Sequence, residues 1–212
     1  MNAARLLVLV TSLTQVPMST LDADTSTWIL SGWVSARTLA VSGGEQVDAM
    51  NGVKRALDQI ERWRAQAARG TTPRDASREL ELRYADAALR AAIDAAQDER
   101  DEMALYLSHA RDLSRQLDLL GAAGRWPLPI DEMAGELWFE VDRYAESRDA
   151  YTRAAEATNS PRAWIGVARA QVKLGDAASA CAAYRRALQT QLMDDWQTEA
   201  DTYVKSPACQ AR

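Results

Sequence analysis

The chain has one histidine, two cysteines and no glycine-rich phosphate loop, and these shortages remove most catalytic and metal-binding architectures at the outset. Zinc sites take three or four Cys, His or carboxylate ligands at fitting spacings, and His109 with two distant cysteines cannot supply the usual sets. A nucleophilic triad needs a base placed beside a nucleophile and an acid, and nothing around His109, in mid-helix by pattern, marks such partners. Gly43-Gly44 lacks the lysine and spacing of a phosphate-binding loop. The acidic run Asp98-Glu99 and Asp101-Glu102 lacks the glycine-bearing turn of a calcium loop, and reads as a helix head, where the helix dipole favours carboxylates. The expectation is a non-enzyme with no catalytic residue, no metal and no cofactor.

Long apolar runs and cationic stripes are missing too. No stretch reaches the roughly 18 apolar residues that a spanning helix needs, so no transmembrane segment is expected. Lys and Arg total 25 against 30 Asp and Glu, for a net charge of −5. Arginines are scattered among carboxylates, as in Glu99-Arg100-Asp101-Glu102, whereas a nucleic-acid binder gathers cations to displace counterions; no nucleic-acid partner is expected. Only 10 Gly and 6 Pro occur, and no segment alternates with a period of two. Alanine with Leu, Arg, Glu and Gln favours helix, so the chain reads as all-α.

Two features each keep two readings. In residues 1–18, Arg5 precedes the apolar run Leu6-Leu7-Val8-Leu9-Val10, which fits the core of a signal peptide. It also fits a first amphipathic helix ended near Pro17, because proline disfavours helix in the residue before it. Cys181 and Cys209 fit a disulfide that staples the tail to the last strong repeat, which implies an oxidising compartment. They also fit a small core residue and a free tail thiol. The apolar run and the cysteine pair point the same way, to an exported or periplasmic protein over a cytoplasmic one.

Stops at glycine and proline divide the chain into predicted helices over 26–41, 45–68, 74–96, 98–120, 131–141, 145–158, 162–174, 177–194 and 196–204. The last strong pair carries Trp164, Val167-Ala168, the turn Gly175-Asp176, then Ala180, Tyr184 and Ala187. A preceding unit matches at 33 residues: Tyr151 precedes Tyr184 by that offset and Ala154 precedes Ala187, with Ala134-Gly135 and Trp138 in register. Ser147 replaces the small residue of the second helix, and the turn glycine is missing. Small residues at these places allow close helix contact while aromatics fill the gap to the neighbouring repeat. Trp33, Gly44, Ala49 and Ala56 fall at the right offsets further upstream.

These residues resemble the tetratricopeptide repeat (TPR) family, closely over 131–190 and loosely elsewhere. The C-terminal portion looks like the ends of large bacterial TPR-containing proteins, with a Trp-containing helix and an Asp-rich tail after the last pair. The resemblance implies an α-solenoid of antiparallel helix pairs in a right-handed superhelix. Its expected parts are a signal-like or first-helix segment at 1–24, degenerate repeats at 25–120, two TPR-like repeats at 131–190, and a capping helix and tail at 191–212.

The resemblance further implies a scaffold whose concave face holds another protein or peptide. Candidate partner-binding residues are Arg162, Ile165, Arg169 and Lys173 of the strong repeat. Arg169 and Lys173 lie four apart, hence on one helix face, and would meet an acidic segment. Trp126, in the Gly/Pro stretch, is the tryptophan expected to be exposed and useful. The alternative is an oligomerisation or assembly subunit of a larger, envelope-located complex, with self-association through the alanine-rich helices.

Overall fold

The computed structural model describes residues 21–41, 46–121 and 128–210. The candidate signal segment, the Gly43-Gly44 turn and Trp126 lie outside the described residues. Ten helices, and no strand, occur among those described: α1 (Ala23–Val41), α2 (Gln46–Ala67), α3 (Pro73–Ala96), α4 (Arg100–Leu119), α5 (Ile130–Glu140), α6 (Tyr144–Thr158), α7 (Pro161–Leu174), α8 (Ala177–Ala187), α9 (Asp194–Val204) and α10 (Pro207–Gln210). No described helix is long and apolar enough to cross a membrane.

The helix starts follow from local chemistry. Thr72 and Asp75 form a capping box around Pro73, with the Asp75 amide donating to Thr72 Oγ1 at 3.2 Å and the Thr72 amide to Asp75 Oδ2 at 3.1 Å. The Thr72 hydroxyl, donating to Asp75 Oδ2 at 2.6 Å, and then the Thr72 amide hold the Asp75 carboxyl below its usual range. Ser160 caps α7 ahead of Pro161, and Asp176 caps α8 by accepting from the Ser179 amide at 3.0 Å.

Between α7 and α8 the backbone turns through Gly175 at φ 79°. One repeat earlier, where the turn glycine is missing, Asp142 takes the same left-handed conformation at φ 60°. Aspartate visits that region more readily than most residues, which explains how the turn survives without glycine.

The largest boundary difference from the sequence reading is at α8, and the short α10 is not among the expected helices. The helix expected over 177–194 stops at Ala187, and Asp194 opens α9 instead. The Thr190 hydroxyl donates to the Ala187 carbonyl at 2.6 Å, and its amide bonds the same oxygen at 2.9 Å, so the last turn closes on itself. Asp194 and Asp195 then sit in the first turn of α9, where the dipole favours them.

Each helix packs on its sequence neighbour, and the odd-numbered helices also pack in series, α1 on α3, α3 on α5 and α5 on α7. Alanines supply much of the contact: Ala85, Ala88, Ala91 and Ala92 of α3 are buried, which lets neighbouring backbones approach. Leu82, Met103, Leu113 and Leu117 of α3 and α4 are buried in the same core, and Leu89 reaches Gly32 of α1. The buried Tyr84 ring ends in a hydroxyl that donates to the Leu128 carbonyl at 2.6 Å, tying α3 to the segment before α5.

The C-terminal end is held differently. Ala200 of α9 is fully buried, and Trp196, Tyr203 and Val204 pack against the same C-terminal cluster. The four-residue α10 buries no side chain. A disulfide between Cys181 and Cys209, with Cα atoms 5.6 Å apart, fixes α10 to α8. Closing a loop of sequence separation 28 removes unfolded-state entropy worth ~3.5 kcal/mol in the chain-entropy model. Cys209→Ser should therefore lower unfolding free energy by up to about 3 kcal/mol in urea melts. Amides of α9 and α10 should be the first to gain exchange; a variant with wild-type stability and exchange would show that the staple contributes nothing.

Candidate functional site

The site begins with an aromatic ring and two glycines. Tyr151 projects from α6 between α5 and α7, and a Cβ built on Gly135 or on Gly166 would lie 2.6 Å from its ring atoms. Only a residue without a side chain fits at either place, so the ring sets the spacing of three helices. The substituted Ser147 closes the same junction. Its buried hydroxyl donates to the Gly135 carbonyl at 2.7 Å, which satisfies a polar group that alanine would not carry.

Above the ring is a pocket of about 390 Å³, lined by residues of α1, α5, α6, α7 and α9. Tyr151 is 7% exposed, and among the described residues its hydroxyl has no hydrogen-bond partner. Burial, and secondarily the charge of Glu136, pushes its pKa well above the usual tyrosine value, so the hydroxyl keeps its proton.

Three guanidiniums line the pocket, each set against carboxylates. Arg37 of α1 reaches Glu136 of α5 through Nε at 3.1 Å and pairs with Glu140 through Nη1. Arg162 of α7 pairs with Glu136 through Nη2 and approaches Glu132 through Nε at 3.8 Å. Arg169 makes a two-pronged bond to Glu199 of α9, Nε to Oε1 at 2.9 Å and Nη2 to Oε2 at 2.5 Å. Phe139 and Trp196 complete the lining.

Glu199 is also the acceptor for the Tyr184 hydroxyl, at 2.7 Å. The hydrogen bonds from Arg169 and then Tyr184 hold its carboxyl below the ordinary range against the opposing effect of burial. Tyr184 is pushed up, first by burial and then by its bond to Glu199. Its ring lies 4.8 Å from that of Tyr203, so α9 is docked by a charge pair, a phenol bond and a ring contact together.

Of the residues singled out from sequence, Arg162, Ile165 and Arg169 line this one pocket. Ile165 is 1% exposed and belongs to the core beneath it. Arg169 is engaged by Glu199, and the Lys173 ammonium sits 5.6 Å from the Tyr144 ring centroid. The acidic segment facing Arg169 is thus the chain's own α9. Trp126 lies outside the described residues.

Sequence reasoning missed Arg37, Glu136, Glu140 and Trp196. The 33-residue offset pointed to Tyr151 as a packing aromatic, but its pairing with Gly166 needed the structure. Nothing in the sequence couples Arg37 to α5. Among the described residues no three His, Cys, Asp or Glu side chains are grouped to hold a metal ion. Comparison with known proteins returns no matching family model, no similar curated protein and no similar solved structure.

Two outcomes follow from this geometry. Gly135→Ala should gain about 1 kcal/mol of helix propensity yet lose more through overpacking against a ring pinned from both sides. A net loss of about 1–2 kcal/mol in chemical denaturation is expected. Glu199 has a folded-state pKa below its unfolded one, so its contribution is present above the ordinary carboxylate range and disappears as pH falls through the folded value. Acidification should loosen α9 in the wild type, read by amide exchange, whereas in Glu199→Gln exchange in α9 should already be fast at neutral pH.

Proposed function

We propose that the protein is a non-catalytic scaffold, a TPR-like right-handed α-solenoid, that holds a peptide or helix of another protein against the inner pocket. The observation that carries this reading is the convergence of side chains from α1, α5, α7 and α9, distant in sequence, on one pocket walled by polar and aromatic groups. A stacked-helix surface gives such convergence because successive first helices face the same side. The saturated charge pairs favour recognition by shape and hydrogen bonding over bulk electrostatic attraction.

The second reading is an assembly or self-association module of a larger complex. Its support is the outward face of α1, where Trp28, Leu30 and Val34 are 42%, 38% and 62% exposed. Such a face fits a further helix of the same or another chain. The disulfide adds support for an oxidising compartment, hence an envelope location.

A photo-crosslinking amino acid tests the choice. Placed at Phe139 on the pocket, it should trap the partner in the native host, and placed at Leu105 of α4, 69% exposed, it should not. Cross-links arising only from Val34, or a concentration-dependent dimer in sedimentation abolished by Val34→Asp, would instead establish the assembly reading.

A further inference from the structure

The ion pairs around the pocket do not cancel. Arg37, Arg162 and Arg169 are set against Glu132, Glu136, Glu140 and Glu199, so three positive charges meet four negative ones. The excess negative charge is least compensated at Glu140. Its single partner among the described residues is Arg37, which is shared with Glu136. The Glu140 side chain is 15% exposed and lines the pocket. A carboxylate has about four lone-pair sites, so the contact with Arg37 leaves acceptor capacity on Glu140.

The other groups facing this space also suit a cation. Phe139, Tyr151 and Trp196 bring three aromatic rings to one lining, and ring faces attract cations. Phe139 is fixed by an edge contact with Tyr144, ring centroids 5.2 Å apart, so its place does not depend on a ligand. The Tyr151 hydroxyl keeps its proton and has no partner among the described residues, and its oxygen accepts from an N–H donor.

Geometry decides between cations. Glu136 has one oxygen on Arg37 and the other on Arg162, and both oxygens of Glu199 are held by Arg169. Glu132 and Glu140 each have one oxygen turned to an arginine. No carboxylate of the cluster therefore offers both oxygens to a further guanidinium fork, whereas an ammonium is a point charge that bonds single oxygens. We infer that the pocket takes a lysine side chain of the bound peptide, its ammonium donating to Glu140 and to the Tyr151 oxygen. The methylene stem then lies along Phe139 and Trp196, as long cationic side chains do on apolar surface. Its charge brings the cluster to neutrality. The inference rests on the scaffold reading and adds the chemistry of the anchor.

The test is a titration of the isotope-labelled full chain, followed by NMR at the Gly166 amide and the Trp196 indole. The probes are acetyl-Leu-Lys-Leu-amide, its Gln and Arg counterparts, and Leu-Leu-Leu-amide with a free amino terminus. The Lys probe should move both signals saturably, and the Gln probe should bind about tenfold more weakly, the typical effect of losing a hydrogen bond to a charged group. In Glu140→Gln the preference for Lys over Gln should fall from about tenfold towards unity, a ratio that general loosening of the fold does not imitate. Equal binding of the Lys and Gln probes, a preference unchanged in Glu140→Gln, or no shift at Gly166 and Trp196 would overturn the inference. Arg binding as tightly as Lys would overturn the choice of an ammonium, and tighter binding of the free-terminus probe would overturn the side-chain assignment. Cross-linking from position 139 traps a partner whatever its anchor residue, so the failure of the scaffold reading is distinguishable from the failure of this inference.

Discussion

The Tyr151 ring, gripped between Gly135 and Gly166, is the contact on which the C-terminal half of the molecule depends. It fixes how closely α5 and α7 flank α6, and that spacing determines where Glu136 and Arg162 stand. Packing of this kind has little tolerance, because a close-packed interior transmits the size of one methyl group to its neighbours. The pocket is therefore a by-product of the fold rather than an addition to it: the glycines that admit the ring also leave open the space above it.

A second constraint operates at the end of the chain. Among the described residues α7 is buried between α6 and α8, whereas α9 packs on α8 and the four-residue α10 and reaches α7 through the Arg169–Glu199 pair. A terminal helix with one packing face is marginal alone. Three devices offset this: the Glu199 bonds to Arg169 and Tyr184, the Tyr184–Tyr203 ring contact, and the covalent link from α8 to α10. Glu199 thereby connects the end cap to the pocket, since Arg169 belongs to both.

Much of this was legible in the sequence, for definable reasons. Helix existence and most helix bounds followed from local glycine and proline stops, whose chemistry acts within a few residues. The 33-residue offset found the paired tyrosines because repetition is a property of sequence itself. The stop at Ala187 was missed because Thr190, a residue that a helix accepts, closes the turn through its own hydroxyl. The pocket was only partly legible. Arg162 and Arg169 could be placed on an inner helix, but their carboxylate partners come from α5 and α9, and no local pattern reports a contact set by the stacking of distant helices. Arg37, which reaches α5 across the position of α3, is the clearest such case.

The central claim, that the tyrosine-between-glycines contact organises this half of the molecule, is tested most directly by a double-mutant cycle between Gly166→Ala and Tyr151→Leu, read as unfolding free energy in urea. If the added methyl is harmful because it strikes the ring, its effect should largely vanish once the ring is gone, giving a coupling of about 1 kcal/mol or more. Additive effects of the two substitutions would contradict the account and locate the role of Gly166 elsewhere.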